Sequence, residues 1–313
     1  MKQAKPTIIN HTHEKSATTM TRAMWHFISE RISTALDTPF IVQHRTAAAG
    51  GDTHQSFVIR DERRRFFVKI HPLNGERPLE AEADGLRALA AVDGVTVPEV
   101  ITAGDISVDG VAHEYLVLSH LRFTAQTSDA DFALGKMIAT LHNATGYDTY
   151  GWHRDNYIGA TPQINAQSHD WASFFAHQRI EAMLHRLHDA GYSMDDPQTV
   201  VDAVKQRLAG HHPAPSLLHG DLWSGNAGVT SRGPVIFDPA VYIGDAETDL
   251  AMTDLFGGFS PAFYEGYSSL RPVAPDYRMR KPVYQLYHIL NHAVLFGGSY
   301  LTQAASLIAE IKK

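Results

Sequence analysis

The sequence predicts an α+β chain in two lobes, a small β-rich N-terminal lobe and a larger, mainly helical C-terminal lobe. Three observations carry this. Residues alternate with the two-residue period of strands between Ser56 and Ile70. Apolar residues recur at helical spacing through most of the second half, as at Leu134, Met137, Ile138 and Leu141, and again at Val283, Leu286, Tyr287, Leu290 and Val294. One short island of strand signal, Asn226 to Thr230 and Val235 to Asp238 around the turn Ser231-Arg232-Gly233-Pro234, interrupts the helical half.

The elements follow in order. Residues 1–23 are polar and without periodicity, and a flexible N-terminal tail is expected there. Order is expected from Met24, with Trp25, Ile28, Ile32 and Leu36 on one helical stripe and Pro39 as the stop. The N-lobe is expected over 24–121 and the C-lobe over 122–313. Ala49-Gly50-Gly51-Asp52 signals a turn before a strand at Ser56–Arg60, and Phe66–Ile70 is the returning strand. On that strand Phe66, Val68 and Ile70 share one face, and Phe67 shares the other with Lys69. Pro78 suits a first helical position, and the helix after it has Leu79, Ala83, Leu86 and Ala90 as its apolar stripe. Glu82 lies on that stripe, whereas Glu80, Asp84 and Arg87 lie on the polar face. Val95–Ile101 and Val111–Leu118 read as two further strands, and Ser119-His120-Leu121-Arg122 as the connection between lobes.

Composition narrows the function. The chain has 313 residues, 44% hydrophobic and 19% charged, ordinary values for a globular protein. A net charge of −7 disfavours nucleic-acid binding, which needs a basic surface. No run approaches the roughly 20 apolar residues of a membrane span, and Lys2, Lys5, Glu14 and Lys15 leave no apolar core for a secretory signal. The absence of cysteine fits a reducing cytoplasm. The 19 histidines show no spacing typical of a metal site.

The densest chemical signal is His219-Gly220-Asp221-Leu222-Trp223-Ser224-Gly225-Asn226, followed by Asp238. An aspartate, an asparagine five residues on, and a second aspartate after a hairpin is the spacing of phosphoryl-transfer enzymes of the protein-kinase type. Asp221 would orient a substrate hydroxyl. Asn226 and Asp238 would offer the hard oxygen donors that Mg²⁺ prefers. Lys69 stands where a strand lysine can reach the phosphates of ATP, and Glu82 faces inward where it can hold that lysine. Gly50 and Gly51 would cover the phosphates, and Ser119, His120 and Leu121 would border the nucleotide. Singly, each residue has a plainer reading: a loop Asp is usually a turn former, a strand lysine a solvated edge residue. The order of five elements on the expected secondary structure carries the assignment.

These motifs resemble the fructosamine (ketosamine) kinase family, and the likeness runs from about Trp25 to the last helix. Its H-G-D-L-W-S-G-N is intact at His219–Asn226, and Phe237-Asp238-Pro239-Ala240 resembles its metal-binding segment. Similar too are Gly244–Thr253, Leu255-Phe256-Gly257-Gly258-Phe259, Glu82-Ala83-Asp84-Gly85-Leu86, and a block comprising Asp155–Gly159, Pro162-Gln163, Asn165 and Asp170-Trp171. The resemblance implies a bilobal protein-kinase-like fold, ATP and Mg²⁺ as cofactors, and phosphorylation of a sugar hydroxyl on small-molecule or protein-bound ketoamines, read as deglycation repair. It implies substrate contacts for Trp223 and His219. Some members carry a cysteine in the glycine turn as a redox switch. Asp52 stands near that place here, so a thiol switch is unavailable. A monomer or weak dimer is expected.

Two other readings stand beside this one. Aminoglycoside and choline kinases share the H-x-D-x4-N core, and Asp245, Glu247 and Asp249 could line an acidic pocket for a polycationic substrate. A non-catalytic kinase-like module would be expected to lack one of Lys69, Asp221, Asn226 or Asp238, and all four are present. For Trp223, a buried core position is the alternative to a place facing the cleft.

Overall fold

The computed structural model describes residues 21–48 and 54–313. Most of the expected tail and the Gly50–Gly51 turn lie outside the described residues. Helix α1 (Arg22–Leu36) starts two residues before Met24, because the Thr21 hydroxyl accepts a hydrogen bond from the Met24 N–H at 3.4 Å and caps the first turn. It ends at Asp37 in a left-handed cap (φ 48°), ahead of Pro39.

Five strands follow: β1 (His44–Ala47), β2 (Gln55–Arg60), β3 (Arg65–Pro72) and, after α2 (Pro78–Ala90), β4 (Val100–Val108) and β5 (Val111–Ser119). They form one antiparallel sheet in the order β1-β2-β3-β5-β4. The alternation on β3 sorts its side chains as expected. Phe66, Val68 and Ile70 join Trp25, Ile28 and Ile32 of α1 in one core. On the other face Leu116 and Leu118 pack under Leu79, Ala83 and Leu86 of α2. Each of the buried Leu, Ile, Val and Phe side chains among these contributes about 1.5–3 kcal/mol over an exposed one. Ala90 does not extend the α2 stripe. It is exposed, and Leu89 is buried in its place.

The expected strand at Val95–Ile101 is displaced. Val95 and Val97 pack as loop residues against the C-lobe core, and the strand begins at Val100, beyond Pro98. Pro98 cannot donate to a ladder. As the sheet's edge strand, β4 also tolerates the polar Asp105 and Ser107, which hid it in the sequence.

The chain then crosses to the helical lobe. This comprises α3 (Ser128–His142), a hairpin β6 (Asn156–Ile158) and β7 (Thr161–Gln163), α4 (Trp171–Phe175), a π-turn at Ala176–Glu181 leading into α5 (Ala182–Asp189), and α6 (Pro197–Arg207). Next come β8 (Ser216–Leu218), the hairpin β9 (Ala227–Thr230) and β10 (Gly233–Ile236), β11 (Tyr242–Gly244), and α7 (Glu247–Thr253), α8 (Pro261–Leu270), α9 (Tyr277–Phe296) and α10 (Ser299–Ile311). The hairpin predicted at Asn226–Asp238 is thus β9–β10, within the helical lobe. Among the described residues no helix is long and apolar enough to cross a membrane.

One polar network fixes this lobe next to the site. Arg179 is fully buried, donates to the Asn165 Oδ1 at 2.7 Å and lies 4.1 Å from the Tyr242 ring centroid. The Asn165 and Gln163 amides both donate to the Asn156 Oδ1 at 2.8 Å, and Gln163 also reaches the Ala240 carbonyl at 3.1 Å. Asn156, Gln163 and Asn165 belong to the block singled out beside the catalytic motif, and Asn156 and Gln163 hold the chain just beyond Asp238 through the Val241 and Ala240 carbonyls. Leaving any one of these buried groups unpaired would cost about 1–3 kcal/mol.

Candidate active site

β8 pairs with β11, and the loop His219–Asn226 leaves the end of β8. Asp249 on α7 anchors its start. This buried carboxylate accepts the N–H groups of His219 (2.7 Å) and Gly220 (2.9 Å) and a hydrogen bond with the His142 ring (3.0 Å). Gly220 has φ +82°, and a Cβ there would stand 1.9 Å from the Ala240 carbonyl oxygen, so only glycine fits. His219 does not meet the expectation of substrate contact. It is fully buried, its Nε2 lies 3.0 Å from the Phe237 carbonyl oxygen, and its Nδ1 accepts from the Asp221 N–H at 3.3 Å. With both ring nitrogens engaged inside the protein, it braces the loop against the segment that carries Asp238.

Asp221, Asn226, Asp238, Lys69 and Glu82 converge. The Asn226 amide donates to the Asp221 main-chain oxygen (2.9 Å) and carboxylate (3.1 Å), with a longer contact to the Asp238 carbonyl (3.4 Å). The Lys69 ammonium donates to both oxygens of Glu82 and to Asp238 Oδ1, each at 2.8 Å. Asp238 has φ 53°, rare for a non-glycine residue. Such strain costs about 1–3 kcal/mol and persists where the surroundings over-determine the conformation.

Charge follows from these contacts. Burial pushes the Asp221 carboxyl up to about 7, with the Asn226 hydrogen bond opposing and Asp238 and Asp249 adding to the rise. Burial alone would depress the Lys69 ammonium. Glu82 and Asp238 outweigh it, and the net shift is upward. Burial would likewise raise Asp238, yet Lys69 holds its carboxyl below the ordinary value. Burial also raises Glu82, to about 7, with Lys69 opposing the rise and Asp238 adding to it. The donor set suits a hard cation. The Asn226 nitrogen is committed, leaving its amide oxygen, and Asp238 has a second carboxylate oxygen on a half-exposed side chain.

Two cavities meet here. One of about 400 Å³ lies between the lobes, walled by Val58, Phe67 and Leu118 above, Phe123 and Phe237 below, and Ser119, His120 and Leu121 at the connection. The other, of about 570 Å³, is lined by Asp221, Trp223 and Asn226, by Tyr157 and Gly159, and by Asn291, His292 and Phe296 of α9. Lys69, Asp238 and His54 border both. Burial, followed by Lys69, lowers His54 to about 4, so its imidazole is neutral.

Trp223 is half-buried on the wall of the second cavity, with its ring edge-on to Phe256 at 6.2 Å. Gly225 serves this indole directly. A Cβ at 225 would stand 2.3 Å from the indole, so the glycine makes room for the ring. His54, Asn291 and His292 were not singled out in the sequence. Asn291 is a buried polar residue next to Leu290 and one turn from Tyr287 on the apolar stripe of α9, a signal that could have found it.

Asp245, Glu247 and Asp249 form no open acidic pocket. All three are buried and paired, Asp245 with His211 (2.7 Å) and the Tyr284 hydroxyl (2.6 Å), Glu247 with Arg280 through two 2.7 Å bonds. The grouping of His211, Asp245 and Glu247 has its ligand atoms within 4.8 Å of one another, but Arg280 and Tyr284 already occupy the carboxylates.

The profile of the fructosamine kinase family matches residues 24–313. The chain belongs to the fructosamine kinase family. A Synechocystis protein named as a probable ketoamine kinase is 44% identical over 289 residues, 92% of this chain and 97% of that protein. Among solved structures, a candidate fructosamine-3-kinase from Haemophilus somnus 129PT aligns with TM-score 0.85 and 31% identity, covering 91% of this chain and 96% of that one. A thermostable mutant of the aminoglycoside phosphotransferase APH(4)-Ia, solved in a ternary complex with AMP-PNP and hygromycin B, aligns with TM-score 0.61 at 15% identity, covering 93% of this chain and 98% of that one. That last likeness shows the shared protein-kinase-like fold. As a member of this family, the chain is an ATP-dependent small-molecule kinase.

Proposed function

We propose that this kinase transfers the γ-phosphoryl group of ATP to a sugar hydroxyl of a ketoamine, the rearranged adduct of a sugar such as glucose or ribose with an amine. The observation that supports this most is the meeting of the two cavities at Lys69 and Asp238, with Asp221 and Trp223 on the side away from the lobe connection. The nucleotide base fits between the apolar walls of the smaller cavity, beside the polar main chain of Ser119–Leu121, and its phosphates reach Lys69. The substrate hydroxyl meets Asp221, whose raised carboxyl pKa suits it to accept a proton near neutrality. The hydroxyl oxygen bonds to the γ-phosphorus as the bond to the ADP oxygen breaks. A magnesium ion held by Asn226 and Asp238 would supply charge neutralisation at the phosphates.

An aminoglycoside substrate is less well supported, because the three carboxylates that could receive a polycation are buried and paired. Phosphorylating the ketoamine would destabilise the adduct and serve deglycation. The absence of cysteine and the net charge of −7 support a cytoplasmic enzyme without nucleic-acid partners.

Trp223 tests the substrate class. Its indole offers a flat face for sugar carbons and a π surface for the adjacent protonated amine, worth about 0.5–2 kcal/mol. Trp223→Ala is expected to lower kcat/KM for a fructosamine or ribulosamine by roughly tenfold or more, with ATP affinity unchanged, since stacking and cation–π attraction are lost together. Steady-state kinetics with nucleotide binding measured separately decides it. Wild-type handling of the ketoamine would make Trp223 a packing residue.

A further inference from the structure

The Lys69–Glu82 pair depends on where α2 stands, and α2 is gripped from the other lobe. Asp84 accepts a hydrogen bond from the Trp152 indole N–H at 2.9 Å and lies 3.2 Å from the His153 Nε2. One turn away on the same helix face, Glu80 accepts from the Arg154 guanidinium at 3.0 Å. At the start of the helix the Arg77 N–H points to the Tyr157 hydroxyl at 3.4 Å. Beneath these contacts α2 rests directly on the C-lobe, where a Cβ at Gly85 would stand 2.9 Å from the Val241 side chain. The gripping residues run straight into β6, whose Asn156 and Tyr157 line the cavity that holds Asp221 and Trp223.

We propose that Trp152, His153 and Arg154 are positioning residues that clamp α2 from the C-lobe and so hold Glu82 on Lys69. One stretch of chain then walls the substrate cavity and sets the ammonium that faces the phosphates. The clamped helix keeps the lysine assembled without a separate activating event. This inference rests on the reading of Lys69 and Glu82 as the nucleotide-side pair.

Asp84 is the residue to change, because Trp152 also packs against both large cores of the C-lobe and its loss would disturb them. Asp84 is about one-third exposed (30%), and exposed or half-exposed ion pairs add little to stability. Three variants and one combination are measured for kcat/KM toward ATP and for Tm: Asp84→Ala, Asp84→Asn, Glu82→Ala, and Glu82→Ala with Asp84→Ala. Asp84→Ala is expected to lower kcat/KM for ATP roughly tenfold, since a misplacement of about 1 Å can cost up to a hundredfold, while Tm moves by no more than about 3 °C. Asp84→Asn, which still accepts from the indole, is expected to stay within about threefold of wild type. In the Glu82→Ala background, Asp84→Ala is expected to add less than about twofold, because both act through the same lysine. A full, additive loss in that background, or no loss from Asp84→Ala alone, overturns the clamp. If Glu82→Ala itself leaves ATP kinetics intact, the lysine–glutamate reading fails, and the clamp fails with it.

Discussion

Asp221→Asn should lower kcat by about a hundredfold or more, because positioned general acid–base groups contribute 10²–10⁴-fold. The substitution preserves shape and the Asn226 contact geometry but removes the group able to take the hydroxyl proton. Asp221 lines the larger cavity and not the inter-lobe one, so nucleotide affinity should hold. The carboxyl pKa, pushed up to about 7 chiefly by burial, makes it a base matched to neutral conditions. Single-turnover phosphoryl transfer and a separate nucleotide titration check both halves of the expectation. Near-normal turnover by the variant would remove Asp221 from the proton-accepting role.

Asp238→Ala should abolish metal-dependent turnover and leave the fold intact. Its side chain is half-exposed, so little core packing is lost, and the main chain on either side is held by other groups: Phe237 by the Asn226 carbonyl at 3.0 Å, Ala240 by the His219 carbonyl at 2.8 Å. What disappears is one of the two oxygen donors proposed for the cation and one of the two carboxylates on Lys69. Nucleotide titrations with and without Mg²⁺ should show the magnesium-dependent increment in wild type and none in the variant, with kcat down by at least roughly a hundredfold. A variant that keeps its rate and its magnesium dependence places the ligand elsewhere.

How far the sequence reached depended on whether a role is written in local pattern. The faces of β3 were legible because strand period alone separates Phe66, Val68 and Ile70 from Phe67 and Lys69. Glu82 was legible because its helical spacing from Leu79 and Leu86 turned it inward, and the structure puts both of its oxygens 2.8 Å from Lys69. Residues whose task is set by tertiary contact were not. His219 reads as a motif residue facing the cleft, yet the turn at Gly220 directs the ring into the protein, under Phe237. Asp249 reads in the sequence as a candidate lining residue of an acidic pocket. Its work is to accept two main-chain N–H groups 30 and 29 positions back in the chain, which no side-chain pattern announces. The start of β4 was misplaced because an edge strand need not alternate in polarity. Asn291 and His292 reach the cavity from α9, far along the chain from the catalytic loop, and only tertiary packing brings them there.

Asp84 shows the same divide. Its position on the polar face of α2 follows from helical periodicity, which says nothing of what lies opposite. The structure closes Trp152 and His153 over it. A polar helix face turned toward a second lobe differs from one turned toward water only in what the rest of the chain places opposite.

The most direct test of the account is the kcat/KM of the purified enzyme with Mg²⁺-ATP across a matched panel: fructosamines and ribulosamines, aminoglycosides, and choline. The account predicts phosphoester formation on a ketoamine, with kcat/KM in the range of about 10⁴ M⁻¹s⁻¹ or above that is usual for an enzyme's own substrate, and no comparable rate on the other two classes. Turnover of an aminoglycoside or choline with every ketoamine ignored would contradict it.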